Sequence, residues 1–269
     1  MGSNNVSAYQ IDGLTGGLTE LPFSPIALGS GTWSCLGINP TGSILIVGDS
    51  GGKVASFSIT DSDAIAAPGS PYSTISPDGT RRALPFSCAF SHDGKYFYAG
   101  GDELPFLAGF NVDQSTGALT PLDGSPFDTG APNPSAYAAD TQGRLFVANV
   151  FNGQLRVFTI ADGIPAAAQG NPFSSGLVQA VHGVVHRAGF YMVADRNGHS
   201  GPTPDQVGVY RVSGSGADTT LLAVDDSPYP AGDFTNVLAL NGAERFLFAS
   251  NGQSRNITTF AVESTSTRC

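Results

Sequence analysis

Leu107-Ala-Gly-Phe-Asn-Val112 sets apolar residues around a central Phe110, the pattern of a short, largely buried strand. The pattern recurs at Val6-Ser-Ala-Tyr-Gln-Ile11, Val54-Ala-Ser-Phe-Ser-Ile59, Leu155-Arg-Val-Phe-Thr-Ile160, Val207-Gly-Val-Tyr-Arg-Val212 and Ile257-Thr-Thr-Phe-Ala-Val262. The central aromatics are Tyr9, Phe57, Phe110, Phe158, Tyr210 and Phe260, spaced 48, 53, 48, 52 and 50 residues apart. Self-similarity at a nearly fixed period marks a repeat architecture.

Two further markers keep the same phase. One is a Pro-aromatic pair: Pro22-Phe23, Pro71-Tyr72, Pro126-Phe127, Pro172-Phe173 and Pro228-Tyr229. Ser70, Ser125, Asn171 and Ser227 precede the last four. The other is a strand pair around a polar turn, as in Leu36-Gly-Ile-Asn-Pro-Thr-Gly42 followed by Ile44-Leu-Ile-Val47. Its copies begin at Cys88, Tyr137, Gly183 and Leu238. Each period therefore holds four short strands. One such sheet cannot bury both faces, but radial stacking of several can, which predicts an all-β fold, a β-propeller. The strand before each turn is expected innermost, because Gly37, Ala89, Ala138, Val184 and Ala239 hold one position to small residues where sheets crowd. The Ser-Pro-aromatic segments are expected outermost, where a missing N–H breaks no ladder.

Strand counting predicts about five four-stranded blades in one domain spanning residues 1–269. The chain opens on a third strand and an outer strand, and it closes on an inner, a second and a third strand. An open sheet edge is a liability. The N-terminal outer strand, Leu18 to Phe23, is therefore expected to complete the last blade and close the ring. If it does not, the chain belongs to a larger ring, or copies associate through open edges as a homo-oligomer.

Composition agrees. The 35 Gly and 18 Pro are turn punctuation, and charged residues are too few, at 13%, to coat a helical bundle. Hydrophobic content of 41%, with 17 Phe and 8 Tyr, is enough for a core and argues against disorder. The net charge of −10 and only two lysines, Lys53 and Lys95, leave no basic stripe for nucleic acid or anionic membrane surfaces. No apolar run is long enough for a membrane span. The N-terminal Met-Gly-Ser-Asn-Asn-Val lacks the features of a signal peptide, while Asn5-Val6-Ser7 and Asn256-Ile257-Thr258 are sequons compatible with secretion or a periplasmic origin. Three cysteines, Cys35, Cys88 and Cys269, have no zinc spacing, so no metal or cofactor is expected.

Ser115-Thr-Gly-Ala-Leu-Thr-Pro-Leu-Asp-Gly-Ser-Pro-Phe127 and Asp140-Thr-Gln-Gly-Arg-Leu-Phe-Val-Ala-Asn149 resemble the lactonase-type propeller family, which includes 6-phosphogluconolactonase-like, carboxymuconate-cyclase-like and YVTN-repeat proteins. The resemblance runs along nearly the whole chain and implies the propeller fold. Family lactonases usually have seven blades, so the chain reads as short by about two blades. The resemblance also places Glu103-Leu104 at a family Glu-Leu, with Asp102 beside it. At the family's Arg-His pair this sequence has Phe86 and Ser87. A further family His reads Ser135, and an Asp-Leu-Gly reads Asn149-Val150-Phe151. Without those groups nothing there stabilises the oxyanion of lactone opening.

His182 is the ionisable side chain expected on an inner strand and so is a channel candidate. His186 lies four residues on, about 13 Å away in an extended strand, too far to share a metal. The loops after the second strands gather polar groups expected on one rim: Asp49, Asp102, Glu103, Asn149, Asp195, Arg196 and Asn251. Such loops on a rigid scaffold are favoured binding sites. The primary expectation is a non-catalytic propeller that binds a small molecule or protein at a rim or in the channel. The alternative is a lactone hydrolase or cycloisomerase using Glu103 or Asp102 as base, with Arg196 or His182 from another blade. A third is an incomplete or engineered propeller fragment.

Overall fold

The computed structural model describes residues 4–101, 103–196 and 205–263. It is almost entirely β; the helical element among the described residues is the short 3-10 turn Gly216–Asp218.

Four consecutive sheets are antiparallel meanders with one plan, and a fifth follows it in part. The first blade runs through Trp33–Ile38, Ile44–Asp49, Lys53–Ile59 and Ala64–Ala66. Its inner strand pairs with the second in register Leu36↔Val47 and Ile38↔Leu45. The next three blades begin at Ser87–Phe90, Pro134–Ala139 and Ala180–His186. The fifth is three-stranded: Thr235–Leu240, Phe246–Asn251 and Asn256–Ala261. The result is a five-bladed β-propeller with its blades arranged in a ring. Phe57, Phe110, Phe158, Tyr210 and Phe260 fall on third strands, as their phase predicts, while Tyr9 lies in a two-stranded sheet with Leu18–Glu20.

Four core clusters lie between successive blades. Ile44, Ile46 and Val54 of the first blade pack on Phe97, Ala99 and Phe110 of the second. Tyr98 and Leu107 then meet Leu145, Val147 and Phe158 of the third. Phe146, Leu155 and Val157 meet Tyr191, Val193 and Tyr210 of the fourth. Met192, Val207 and Val209 meet Leu238, Leu247 and Ala249 of the fifth. A fully buried Phe or Leu of this kind contributes roughly 1.5–3 kcal/mol. The small-residue position on the inner strands is explained by crowding: a Cβ on Gly37 would stand 3.2 Å from the Phe97 ring.

The outer strand is built from two pieces. Ala64–Ala66 and Tyr72–Ser73 both pair with the third strand Lys53–Ile59, and a cis Ser70-Pro71 bond lies between them. Cis bonds recur at Ser125-Pro126, Asn171-Pro172 and Ser227-Pro228, and in the N-terminal copy at Ser24-Pro25. The N-terminal counterpart is therefore Ser24-Pro25-Ile26, not the expected Pro22-Phe23. The residue before each Pro does specific work. The detour leaves one third-strand N–H without a ladder partner, and that side chain accepts it. Ala8, Ser56, Gly109, Val157 and Val209 donate to Ser24 Oγ, Ser70 Oγ, Ser125 Oγ, Asn171 Oδ1 and Ser227 Oγ at 2.9 to 3.1 Å.

The expected pairing of the N- and C-terminal strands is corrected by the structure. Leu18–Glu20 pairs with Tyr9–Ile11, and Asn5–Val6 pairs with Ile26–Ala27. A local turn wins because closing a short loop loses far less chain entropy than joining the two ends. Asp12 Oδ1 fixes that turn by accepting the N–H groups of Leu14 and Thr15. Val6, Phe23, Ile26 and Leu28 then pack on Leu45, Val47 and Phe57 of the first blade. The outward faces of the terminal blades keep apolar side chains exposed: Leu36 and Ile38 on one, Phe246 and Ile257 on the other.

Candidate functional site

Five residues open the turns between the inner and second strands, all at one end of the ring: Asn39, Ser91, Asp140, His186 and Asn241. Such turns need an acceptor for N–H groups facing back into the loop. Asn39 Oδ1 takes those of Ser43 and Ile44, Ser91 Oγ that of Tyr96, and Asn241 Oδ1 those of Arg245 and Phe246. Asp140 Oδ1 takes those of Gln142 and Arg144.

At two of these turns ionisable groups go further. Arg144 donates through Nε to Asp140 Oδ2 at 2.6 Å, and its Nη2 stands 2.6 Å from the same oxygen. Arg144 Nη1 reaches the Gly214 carbonyl at 3.2 Å. Ala188 N–H donates to His186 Nδ1 at 3.0 Å, which makes Nε2 the protonated nitrogen. Nε2 then donates to the Glu244 carbonyl at 2.9 Å. The Glu244 carboxylate accepts Arg187 N–H at 2.7 Å and lies 3.4 Å from Arg187 Nε.

Two adjoining cavities of about 260 and 380 Å³ open here and share His92, Ala139, Asp140, Thr141 and Arg144 as a common wall. The first is floored by Tyr96, Leu145 and Ile160. The second is edged by Gln142, His186, Arg187, Ser213 and Glu244. Among the described residues no cluster of three His, Cys, Asp or Glu side chains could hold a metal ion.

The polar positions expected at the opposite rim behave differently. Asp49, Asn149, Asp195 and Asn251 occupy one register position, opposite Trp33, Pro134, Ala180 and Thr235. All four are buried and tie down local loops or strand ends. Asp49 Oδ1 accepts Thr32 and Gly51 N–H. Asn149 donates to the Ala131 and Pro132 carbonyls and accepts from Arg156 Nη1 at 2.7 Å. Asp195 Oδ1 accepts Val178 and Gln179 N–H, and its Oδ2 accepts from Gln206. Asn251 accepts from Thr235 and donates to Asn256 and Thr258.

Glu103 is exposed at φ +55°, and its N–H donates to Asn133 Oδ1 at 2.7 Å. The Arg196 guanidinium lies over the Phe234 ring, 4.8 Å from its centre. His182 faces the fifth blade, where Leu238 N–H donates to Nδ1 at 3.3 Å. Burial lowers its pKa below the usual histidine range. Glu103 is thus in the second blade, and Arg196 and His182 are in the fourth. Asp102 lies outside the described residues, as do His199 and Cys269.

No family model and no curated protein matches the sequence. Solved structures do share its fold. A candidate 6-phosphogluconolactonase from Bacteroides fragilis superposes with TM-score 0.74 at 19% identity, covering 96% of this chain and 73% of that one. The periplasmic gluconolactonase of Pseudomonas aeruginosa gives 0.57 at 16% identity, over 98% and 90%. Virginiamycin B lyase from Staphylococcus aureus gives 0.57 at 13% identity, over 97% and 79%. The likeness is one of fold, a β-propeller.

Proposed function

We propose that this chain is a binding propeller that takes up a small, uncharged, hydroxyl-bearing molecule at the turn end of its ring, without chemistry. The observation behind the reading is the pair of adjoining cavities that share Asp140, Thr141 and Arg144. Pockets of a few hundred Å³ with an apolar floor and a few polar groups are typical small-molecule sites. The charges around them cancel locally, Asp140 against Arg144 and Glu244 against Arg187. A charged ligand would have to break one of those pairs. An uncharged one can use the Thr141 hydroxyl, the Gln142 amide and the His92 ring, with its apolar face against Tyr96 and Ile160.

Ligand-observed NMR against a panel of monosaccharides and sugar lactones tests this. Line broadening is expected with the wild-type chain and not with Thr141→Trp, which fills the shared wall. Broadening that persists unchanged in the variant would sink the assignment of the site.

Lactone hydrolysis is the second reading, favoured by the likeness of the ring to the Pseudomonas gluconolactonase. Glu103 or Asp102 would act as base, with Arg196 or His182 holding the oxyanion. Base and oxyanion donor must face one substrate at hydrogen-bond range, whereas Glu103 belongs to the second blade and Arg196 and His182 to the fourth. Titrated proton release from gluconolactone separates the readings: turnover abolished by Glu103→Gln overturns the binding-only proposal.

A further inference from the structure

Two thiols face each other between the first two blades. Cys35 is on the inner strand Trp33–Ile38, paired opposite Gly48. A Cβ on Gly48 would stand 2.5 Å from Cys35 Sγ, so the glycine leaves the room the thiol occupies. Cys88 is on the next inner strand, Ser87–Phe90, and packs back onto the cluster that holds Ile44 and Ile46 of the first blade. Pro85, which leads into that strand, would also stand 2.5 Å from a Gly48 Cβ, so Cys35 Sγ lies on the side that faces the second blade. Ser34 Oγ donates to the Pro85 carbonyl at 2.8 Å and holds the neighbouring segments together. Both cysteines are free and only partly buried.

A second observation comes from the third blade. The Tyr137 hydroxyl is buried and, among the described residues, has no hydrogen-bond partner. Its electrostatic neighbours include Cys35 and Cys88. A buried donor left unused is costly, of order 1–3 kcal/mol.

We propose that Cys35 and Cys88 form a peroxide-responsive thiol pair that closes an inter-blade disulfide, with Tyr137 as its positioning residue. Cys35 supplies the attacking sulfur. Burial first, and then the neighbouring Cys35 thiol, push the Cys88 thiol well above the usual cysteine range, which makes it a poor first nucleophile and leaves the first attack to Cys35. In the first step the Cys35 sulfur attacks one oxygen of hydrogen peroxide. The O–O bond breaks, the sulfur becomes a sulfenic acid and one water leaves. In the second step the Cys88 sulfur attacks the sulfenic sulfur, the S–O bond breaks and a second water leaves. Two thiols and one peroxide thus give one disulfide and two waters. The Tyr137 O–H supplies a hydrogen bond to the sulfenic oxygen between the steps.

The test uses the full chain carrying Cys269→Ser, so that only the pair remains. The protein is mixed with hydrogen peroxide alongside free glutathione as a reference thiol. The expected result is a product lighter by two hydrogens, a Cys35–Cys88 cross-linked peptide in a non-reducing digest, and full reversal by dithiothreitol. Tyr137→Phe is expected to slow closure several-fold while leaving the count of alkylatable thiols in the reduced protein unchanged. Two results would overturn the pair: both cysteines still alkylatable after the glutathione is consumed, or one cysteine carried to sulfinic acid without cross-linking. An unchanged closure rate in Tyr137→Phe removes Tyr137 from the proposal. If Tyr137→Phe fails to fold, judged by near-ultraviolet circular dichroism, mass and digest on the Cys269→Ser chain still decide the pair.

Discussion

The Asp140 carboxylate and the Arg144 guanidinium meet at 2.6 Å with only 8% and 4% of their side chains exposed. Four residues apart in sequence, they close one turn and form the wall between the two cavities. Removing one partner of a buried pair leaves the other charge uncompensated, at about 3–5 kcal/mol. Asp140→Asn keeps an acceptor for the turn N–H groups but strands the guanidinium. It is expected to lower stability by about 3 kcal/mol in urea titration. The double variant Asp140→Asn/Arg144→Met should recover most of that loss, because no charge remains buried. A double variant no more stable than Asp140→Asn would show that the pair is not the source.

Ser125 tests the role given to the residue before each outer-strand Pro. Its Oγ accepts Gly109 N–H at 2.9 Å. Ser125→Ala deletes the acceptor and is expected to cost about 1–2 kcal/mol. Ser125→Asn should cost less, because Asn171 does the same work in the next blade, accepting Val157 N–H at 2.9 Å. Equal losses for the two variants, measured by chemical denaturation, would mean that shape rather than the hydrogen bond sets the preference.

The fold was legible because one residue class repeats in phase. Phe57, Phe110, Phe158 and Tyr210 are buried in their third strands, where periodicity puts them. Ring closure was not legible, because edge avoidance is a global argument and the Asp12 turn is a local one that outcompetes it. The hydrogen bonds before the prolines were hidden for a related reason. Each acceptor serves an N–H 14 to 18 residues upstream, fixed only once the outer strand's detour is known. The cavity wall draws on separate turns, so no short motif announces it. A signal was nonetheless present. Aligning the five turn-opening residues shows that only Asp140 is followed four residues later by an opposite charge, Arg144. Asp49, Asn149, Asp195 and Asn251 share one register position, but their burial cannot be read from residue type, because Asp and Asn serve loops and ligands equally well.

Asp195 distinguishes a loop-holding residue from a surface one. It is fully buried and accepts Val178 and Gln179 N–H at 2.9 and 2.6 Å. Asp195→Ala leaves both donors and the Gln206 amide without that acceptor, and is expected to cost about 2–3 kcal/mol. Asp61→Ala, at an exposed loop position, should stay within about 0.5 kcal/mol. Comparable losses at the two sites in urea titration would remove Asp195 from the framework.

His182 gives the chain a pH dependence whose sign follows from its surroundings. Burial holds its pKa below the usual 6.5, and the neutral ring accepts Leu238 N–H through Nδ1. The unfolded chain takes up a proton near the usual value, while the folded protein resists it until lower pH. The contribution to stability is therefore fully present above the unfolded pKa. It falls as pH drops from there towards the lowered folded pKa, and it is constant below that. His182→Gln keeps an acceptor but cannot titrate. Its unfolding midpoint should fall less between about pH 7.5 and pH 5.5 than that of the wild type. Parallel declines for the two proteins would mean that other groups carry the acid sensitivity and that the His182 ring is solvated in the folded state.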